Sequence, residues 1–295
     1  MSDGRLASMD TDMYRALTRY TDPGRHSALL DNLPDDVAGL VEVVQGLLIH
    51  EFLVETYGDA LTEERRATVH LRPVEAMLGA IVAADPAPLA TARPPRRRLV
   101  INCRHYTVLA VTLLRAKGIA ARARCGFGGY FGPGVFEDHW VCEYLDPGTG
   151  RWRLLDAELD ATQRDNFGID FDPLDVPRDR FLVAGDAWRA CRQGRADPKV
   201  FGLSAINEAG YWWIAGNLVR DVAALNNVES LPWDCWGPMP NPHADMDDKA
   251  NALFDGLAAL TVVPGPEVVR RYRGDTELRV PSTIYNANLD KDEDI

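Results

Sequence analysis

Long apolar runs, paired cysteines and an excess of basic charge are all missing from this chain of 295 residues. Each absence removes a class of function. No apolar run reaches the ~18 residues of a membrane span. The five cysteines are odd in number and scattered. They include no CxxC pair and no Cys/His cluster at zinc spacing, so neither a disulfide framework nor a structural metal is expected. A formal net charge of -12 and a pI near 5.0 argue against sequence-independent partners that favour basic surfaces, namely nucleic acid and anionic membrane. The glycine-rich stretch Gly126–Gly134 has neither GxGxxG nor Walker spacing, so it is not read as a phosphate loop, and no cofactor is implied. There is no internal repeat. Met1–Met13 is polar and acidic without an apolar core, so no secretory signal is read there, and a cytoplasmic setting with reduced thiols is the expectation.

What is present is 46% hydrophobic and 26% charged, enough for an ample core. Residues 1–33 are polar, with an Asp22-Pro23-Gly24 turn, and are expected to wrap the surface. From Pro34 the spacing predicts a helix. Asp31, Asp35 and Asp36 sit near its start, where the macrodipole favours negative charge. Val37, Leu40, Val41, Val44, Leu47 and Leu48 lie at helical intervals and lead on toward Phe52 and Leu53, and Tyr57-Gly58-Asp59 ends the run. His50 reads as a packing histidine of this helix. A second helix is predicted over Val74–Ala84. Ala92–Arg98 is a proline-broken basic loop that reads as a connector pairing with the protein's own carboxylates.

The stretch Ile101-Asn102-Cys103-Arg104-His105-Tyr106-Thr107 organises the middle of the chain. Asn102 is a favoured N-cap residue, which places Cys103 in the first turn of a helix. Tyr106, Leu109, Ala110 and Leu113 form an apolar stripe that Val108, Val111 and Leu114 widen, so the helix is expected to be buried, with Gly118 as its stop. Residues 119–127 alternate as a strand, with Arg122 and Arg124 facing away from the apolar side. Gly126–Gly134 is an aromatic, glycine-rich loop. His139–Leu145 and Arg151–Ala157 are two more strands, joined by the turn Asp146-Pro147-Gly148-Thr149-Gly150. Further helices are predicted over Phe181–Arg192, Ser204–Leu225 and, as the last, Met246–Leu260. Leu231–Gly237 is a Trp-rich turn, and the acidic end reads as a frayed tail.

A thiol at a helix N-terminus faces backbone N–H groups and the positive end of the dipole, which favour thiolate over the ordinary thiol pKa of about 8.5. The same groups can stabilise an oxyanion on an acyl group carried by that sulfur. If Asp146–Thr149 is a four-residue loop, Leu145 pairs with Gly150 and His139 falls opposite Asp156. Directly opposed residues share a face, so Asp156 can orient the His139 imidazole. A two-residue slip would leave the pair diagonal on one face. Cys103, His139 and Asp156 thus meet the logic of a nucleophile, a base and an orienting acid. His105 ranks below His139 as the base, and Asp138 and Glu158 are alternative acids. His243, Asp245, Asp247 and Asp248 read as a helix start rather than a metal site.

Asn102-Cys103-Arg104-His105-Tyr106, the run Arg115–Arg122, Asp138-His139-Trp140-Val141 and Trp152-Arg153-Leu154-Leu155-Asp156 together resemble the bacterial transglutaminase-like core, over about residues 95–160. Ile101 stands where many relatives carry Gly. The resemblance implies an α+β, papain-like fold: the nucleophile helix packs on an antiparallel sheet, with extra N- and C-terminal helices. It implies Cys103 as nucleophile, His139 as base and acid, and Asp156 as orienter. The expected organisation is a helical flank over 1–91, a catalytic core over 92–187, a second helical flank over 188–288 and a disordered acidic tail over 289–295. The expected activity is cleavage or exchange of an amide through an acyl-enzyme thioester, with no metal. The partner is an amide- or acyl-bearing substrate, contacted by Asn102, Arg104, Tyr130, Trp140, Trp213 and Trp236. Two rivals are an acyltransferase on a small metabolite or carrier-bound acyl group, and a non-catalytic binding protein on the same fold.

Overall fold

The computed structural model describes residues 11–295. The first ten residues, and with them most of Met1–Met13 and part of the expected surface wrap, lie outside the described residues. The chain combines helices with sheets and divides into two compact units. One comprises residues 11–123 with Val141–Val176, the other Arg124–Trp140 with Pro177–Ile295. Among the described residues no helix is long and apolar enough to cross a membrane.

In the first unit, α1 (Val37–Leu47) begins at Asp36, whose side chain accepts the Gly39 N–H. It ends at Leu47 rather than continuing to Leu53. Leu48–His50 instead forms β1, paired in parallel with β2 (Leu99–Ile101), Leu48 against Leu99 and His50 against Ile101. Leu48 and Ile49 are fully buried, and the parallel ladder with β2 takes up their backbone groups. The helix α2 (Val74–Ala84) has the predicted bounds. The basic loop is a connector with engaged arginines. Arg93 is buried and donates to the Pro88 carbonyl at 2.6 Å, Arg97 pairs with Asp85 at 3.1 Å, and Arg98 lies 3.5 Å from Asp160. Residues 11–33 do not simply wrap the surface, because Tyr14 and Tyr20 are buried. Tyr14 meets Trp152 edge-on at 5.7 Å and lies under the Arg122 guanidinium at 4.9 Å.

The helix α3 (Cys103–Ala116) is buried at every residue from Cys103 to Arg115. It packs in one apolar cluster that includes Leu40, Val44, Met77 and Leu78, and also Cys142 and Leu155. Its polar side chains find backbone carbonyls. Thr107 donates to Cys103 O at 3.1 Å, Thr112 to Thr21 O at 3.0 Å, and Arg115 to Ala121 O at 2.9 Å. Gly118 closes the helix in the left-handed region, φ 75°, where glycine carries no steric penalty.

β3 (Ala121–Gly128) and β4 (Phe136–Leu145) each contribute residues to both units. In the first unit β4 pairs antiparallel with β5 (Trp152–Leu155) from Leu145 opposite Trp152 to Cys142 opposite Leu155. The expected pairing of Leu145 with Gly150 is therefore displaced by two residues. The turn spans six residues, closed by Asp146 N–H to Arg151 O at 2.9 Å. The helix α4 (Ala161–Phe167) comes next, capped by Asp160.

In the second unit the strand order is β6-β3-β4-β7-β8, with β6 (Phe181–Val183), β7 (Phe201–Leu203) and β8 (Glu208–Ala209). Gly126 pairs with Val183, and a Cβ at Gly126 would stand 2.2 Å from Leu182 O, so this close strand approach requires glycine. The expected helix over Phe181–Arg192 is strand β6 followed by α5 (Ala184–Arg192). That expected over Ser204–Leu225 is reduced to α6 (Tyr211–Ala224). Beyond β9 (Asp234–Cys235) come α7 (Asp248–Val262) and a further helix, α8 (Pro266–Gly274), so the predicted last helix is not the last. Asp247 caps α7 by accepting the Ala250 N–H, as the helix-start reading requires. The chain end is not frayed. β10 (Thr283–Asn286) pairs with β9 and with β11 (Lys291–Asp294), whose acidic side chains alternate out of a hydrogen-bonded ladder. Arg124 is not on a solvent face. It is fully buried and makes a two-pronged pair with Asp221, at 3.0 and 2.9 Å.

Candidate functional site

Cys103 is the first residue of α3 and 6% exposed. Asn102 has extended backbone, φ -120° and ψ 178°, and its Oδ1 accepts the Arg104 N–H at 3.1 Å. His105 stands three residues after this cap, the spacing of a capping box. Its Nδ1 lies 2.9 Å from the same Asn102 Oδ1, and its Nε2 lies 2.7 Å from Leu71 O. A neutral imidazole has one N–H for these two oxygens, so both contacts become hydrogen bonds only when the ring is protonated. Burial, followed by the positive Arg104, holds the His105 pKa well below 6.5. His105 is thus packed at the helix start, between the Asn102 and Leu71 oxygens. The remaining polar atom of the cap, Asn102 Nδ2, is buried and has no acceptor among the described residues. Asn102 as a whole is 5% exposed.

Arg104 is also fully buried. Its guanidinium donates to Arg72 O at 2.7 Å and lies 5.5 Å from the Tyr20 ring, so it faces protein groups where a substrate contact was expected. Asp156 is 1% exposed and comes directly after the last rung of β5. Its N–H turns to Pro173 O at 2.9 Å, and its Oδ1 accepts the Glu158 N–H at 3.0 Å. The four-residue loop from which the opposition of His139 and Asp156 was expected is not formed: the β4–β5 ladder is displaced by two and ends at Leu155.

These residues belong to the first unit; His139 belongs to the second, on β4. It is 3% exposed and ringed by aromatic edges: Phe131 at 4.8 Å, Tyr130 at 6.1 Å and Phe181 at 6.2 Å. The glycine-rich loop makes that packing possible. A Cβ on Gly128 would lie 2.7 Å from the Phe131 ring, and one on Gly129 2.6 Å from the Phe136 ring. Asp138, the alternative acid, accepts the Trp213 indole N–H at 2.7 Å, and burial raises its pKa. Trp236 donates to Leu278 O at 3.1 Å within the apolar core of this unit. Trp140 is buried at 1% exposure.

None of the five cysteines is in a disulfide. Burial raises the Cys142 thiol far above its ordinary range and pushes Cys191 up to about 12. Both are therefore poor nucleophiles at neutral pH. Cys125 is buried in β3, and Cys235 is half-buried in β9. Cys103 alone begins a long helix. The Asn102–His105 support could have been suspected from its spacing alone; the Trp213–Asp138 bond spans 75 residues and carried no signal in the sequence.

No family model and no curated protein matches this chain. Among solved structures it is similar to a candidate cysteine protease from Cytophaga hutchinsonii, with 14% identity and a TM-score of 0.33, over 60% of this chain and 49% of that one. The match spans about half the length of that neighbour.

Proposed function

We propose that this chain is a cysteine-dependent enzyme of transglutaminase-like type, acting on an amide bond through an acyl-enzyme thioester. The observation that supports it is the placement of Cys103 as the first residue of a 14-residue buried helix, behind an asparagine cap. There the dipole and amide groups favour thiolate. In the proposal Cys103 attacks the carbonyl, His139 takes and returns the proton, and Asp156 orients the imidazole. Water or an amine then resolves the thioester, so hydrolysis, deamidation and transamidation share the first half-reaction.

The test is the alkylation rate of each cysteine against pH, read by peptide mass spectrometry in the parent and in His139→Ala. The expected outcome is fast modification of Cys103 well below about pH 8, slowed or shifted by the substitution, with Cys142 and Cys191 unmodified until the chain is unfolded. A Cys103 that stays inert in the folded chain, or titrates like an ordinary thiol whatever stands at 139, would move the non-catalytic binding role to first place.

A further inference from the structure

We infer that the side-chain amide of Asn102 is a catalytic hydrogen-bond donor, supplying Nδ2–H to the oxyanion that forms on a carbonyl attacked by Cys103. This rests on the proposed cysteine chemistry and adds a residue to it. The orientation of the amide is set by the helix, because Oδ1 accepts the Arg104 N–H at 3.1 Å and an amide nitrogen cannot accept that bond. Nδ2 branches from the same carbon as Oδ1. It therefore lies at the mouth of the helix that Cys103 begins, on the residue bonded directly to the nucleophile.

Nδ2 is also buried without an acceptor among the described residues. A buried donor left unpaired costs about 1–3 kcal/mol, and in a native structure it calls for an explanation. An oxyanion is the acceptor that the chemistry at Cys103 would create. The thiolate forms an S–C bond to the carbonyl carbon, and the C=O π pair moves onto oxygen. That oxygen accepts Nδ2–H. Collapse restores C=O and expels the leaving group with its electron pair. A donor already oriented and shielded from water needs no reorganisation as the charge develops. Cys103 and Asn102 are adjacent in the chain and similarly recessed, at 6% and 5% exposure.

The experiment compares two reactions of the same sulfur in the parent, Asn102→Ser and Asn102→Asp. Both replacements keep a helix-capping oxygen and remove the amide donor. Acetylation by p-nitrophenyl acetate, followed by the mass of the Cys103 peptide, passes through an oxyanion. Alkylation by iodoacetamide displaces iodide at a saturated carbon and does not. The expected result is a fall of about 10²-fold in the ratio of acetylation to alkylation, in whichever variant retains the parental melting transition and in both if both do. An unchanged ratio overturns the inference, including the case in which both rates fall together, since Asn102 would then act on the thiol or the helix start. A parent whose Cys103 is alkylated but never acetylated overturns the proposed acyl-enzyme chemistry itself, and the inference with it. The two failures are thus distinguishable.

Discussion

His105 shows how burial converts a titrating residue into a source of pH-dependent stability. Its folded pKa is held well below 6.5 by burial and by Arg104. Below about pH 6.5 the unfolded chain therefore binds a proton that the native chain does not, and the native state loses stability as pH falls. The slope approaches ~1.4 kcal/mol per pH unit in the window between the two pKa values. Asp138 has the opposite sign. Its pKa is raised by burial, so its contribution is present in acid and lost as pH rises through the folded value. The two are separated by comparing denaturant unfolding of the parent and His105→Gln between pH 7 and pH 5. The parent is expected to lose stability more steeply than the variant over this range, and parallel curves would show that the ring titrates alike in both states. At this scale the sequence was informative about Asn102 and Cys103, because capping is a local property of a few adjacent residues. It was uninformative about Arg104, whose partners Arg72 and Tyr20 come from distant parts of the chain.

Among the elements, β3 departs furthest from its sequence pattern. Alternation puts Arg122 and Arg124 on a polar face, yet the strand is buried from end to end. Arg122 pairs with Glu143 at 2.7 Å and lies 4.0 Å from the Trp152 ring. Arg124 is satisfied by Asp221 on α6, and Asp221 also accepts the Cys125 N–H at 2.9 Å. Such a pair is costly to break from one side, because the surviving charge stays buried without its partner. Asp221→Ala is expected to destabilise the chain by about 3–5 kcal/mol in equilibrium denaturation. A loss under about 1 kcal/mol, the worth of an exposed pair, would show that Arg124 had reached water. The β4–β5 turn is a smaller departure of the same kind. Asp-Pro-Gly-Thr-Gly announces a turn, but backbone bonding, Asp146 to Arg151, decides that it holds six residues.

For the molecule as a whole, a net charge of -12 and a pI near 5.0 mean that repulsion between copies fades in mild acid. Turbidity against pH is expected to peak near pH 5 and to clear by pH 7, and a flat profile would mean that charge does not govern association. The same acidity suggests a loose end at Asp290–Asp294, yet that segment forms β11 because β10 offers it a ladder. The sequence by itself determined the features that depend on near neighbours. These are the Asn102 cap with Cys103 behind it, the apolar circumference of α3, the bounds of α2 and the turn before β5, since each arises from a few consecutive side chains and the periods of helix and strand. Only the tertiary structure decided that the α1 run turns into a strand at Leu48, that Arg124 is buried against Asp221, and that β5 pairs two residues out of its expected register. Each of those depends on a partner distant in the chain, β2 for the first and α6 for the second, or on backbone hydrogen bonds that side-chain patterns do not encode.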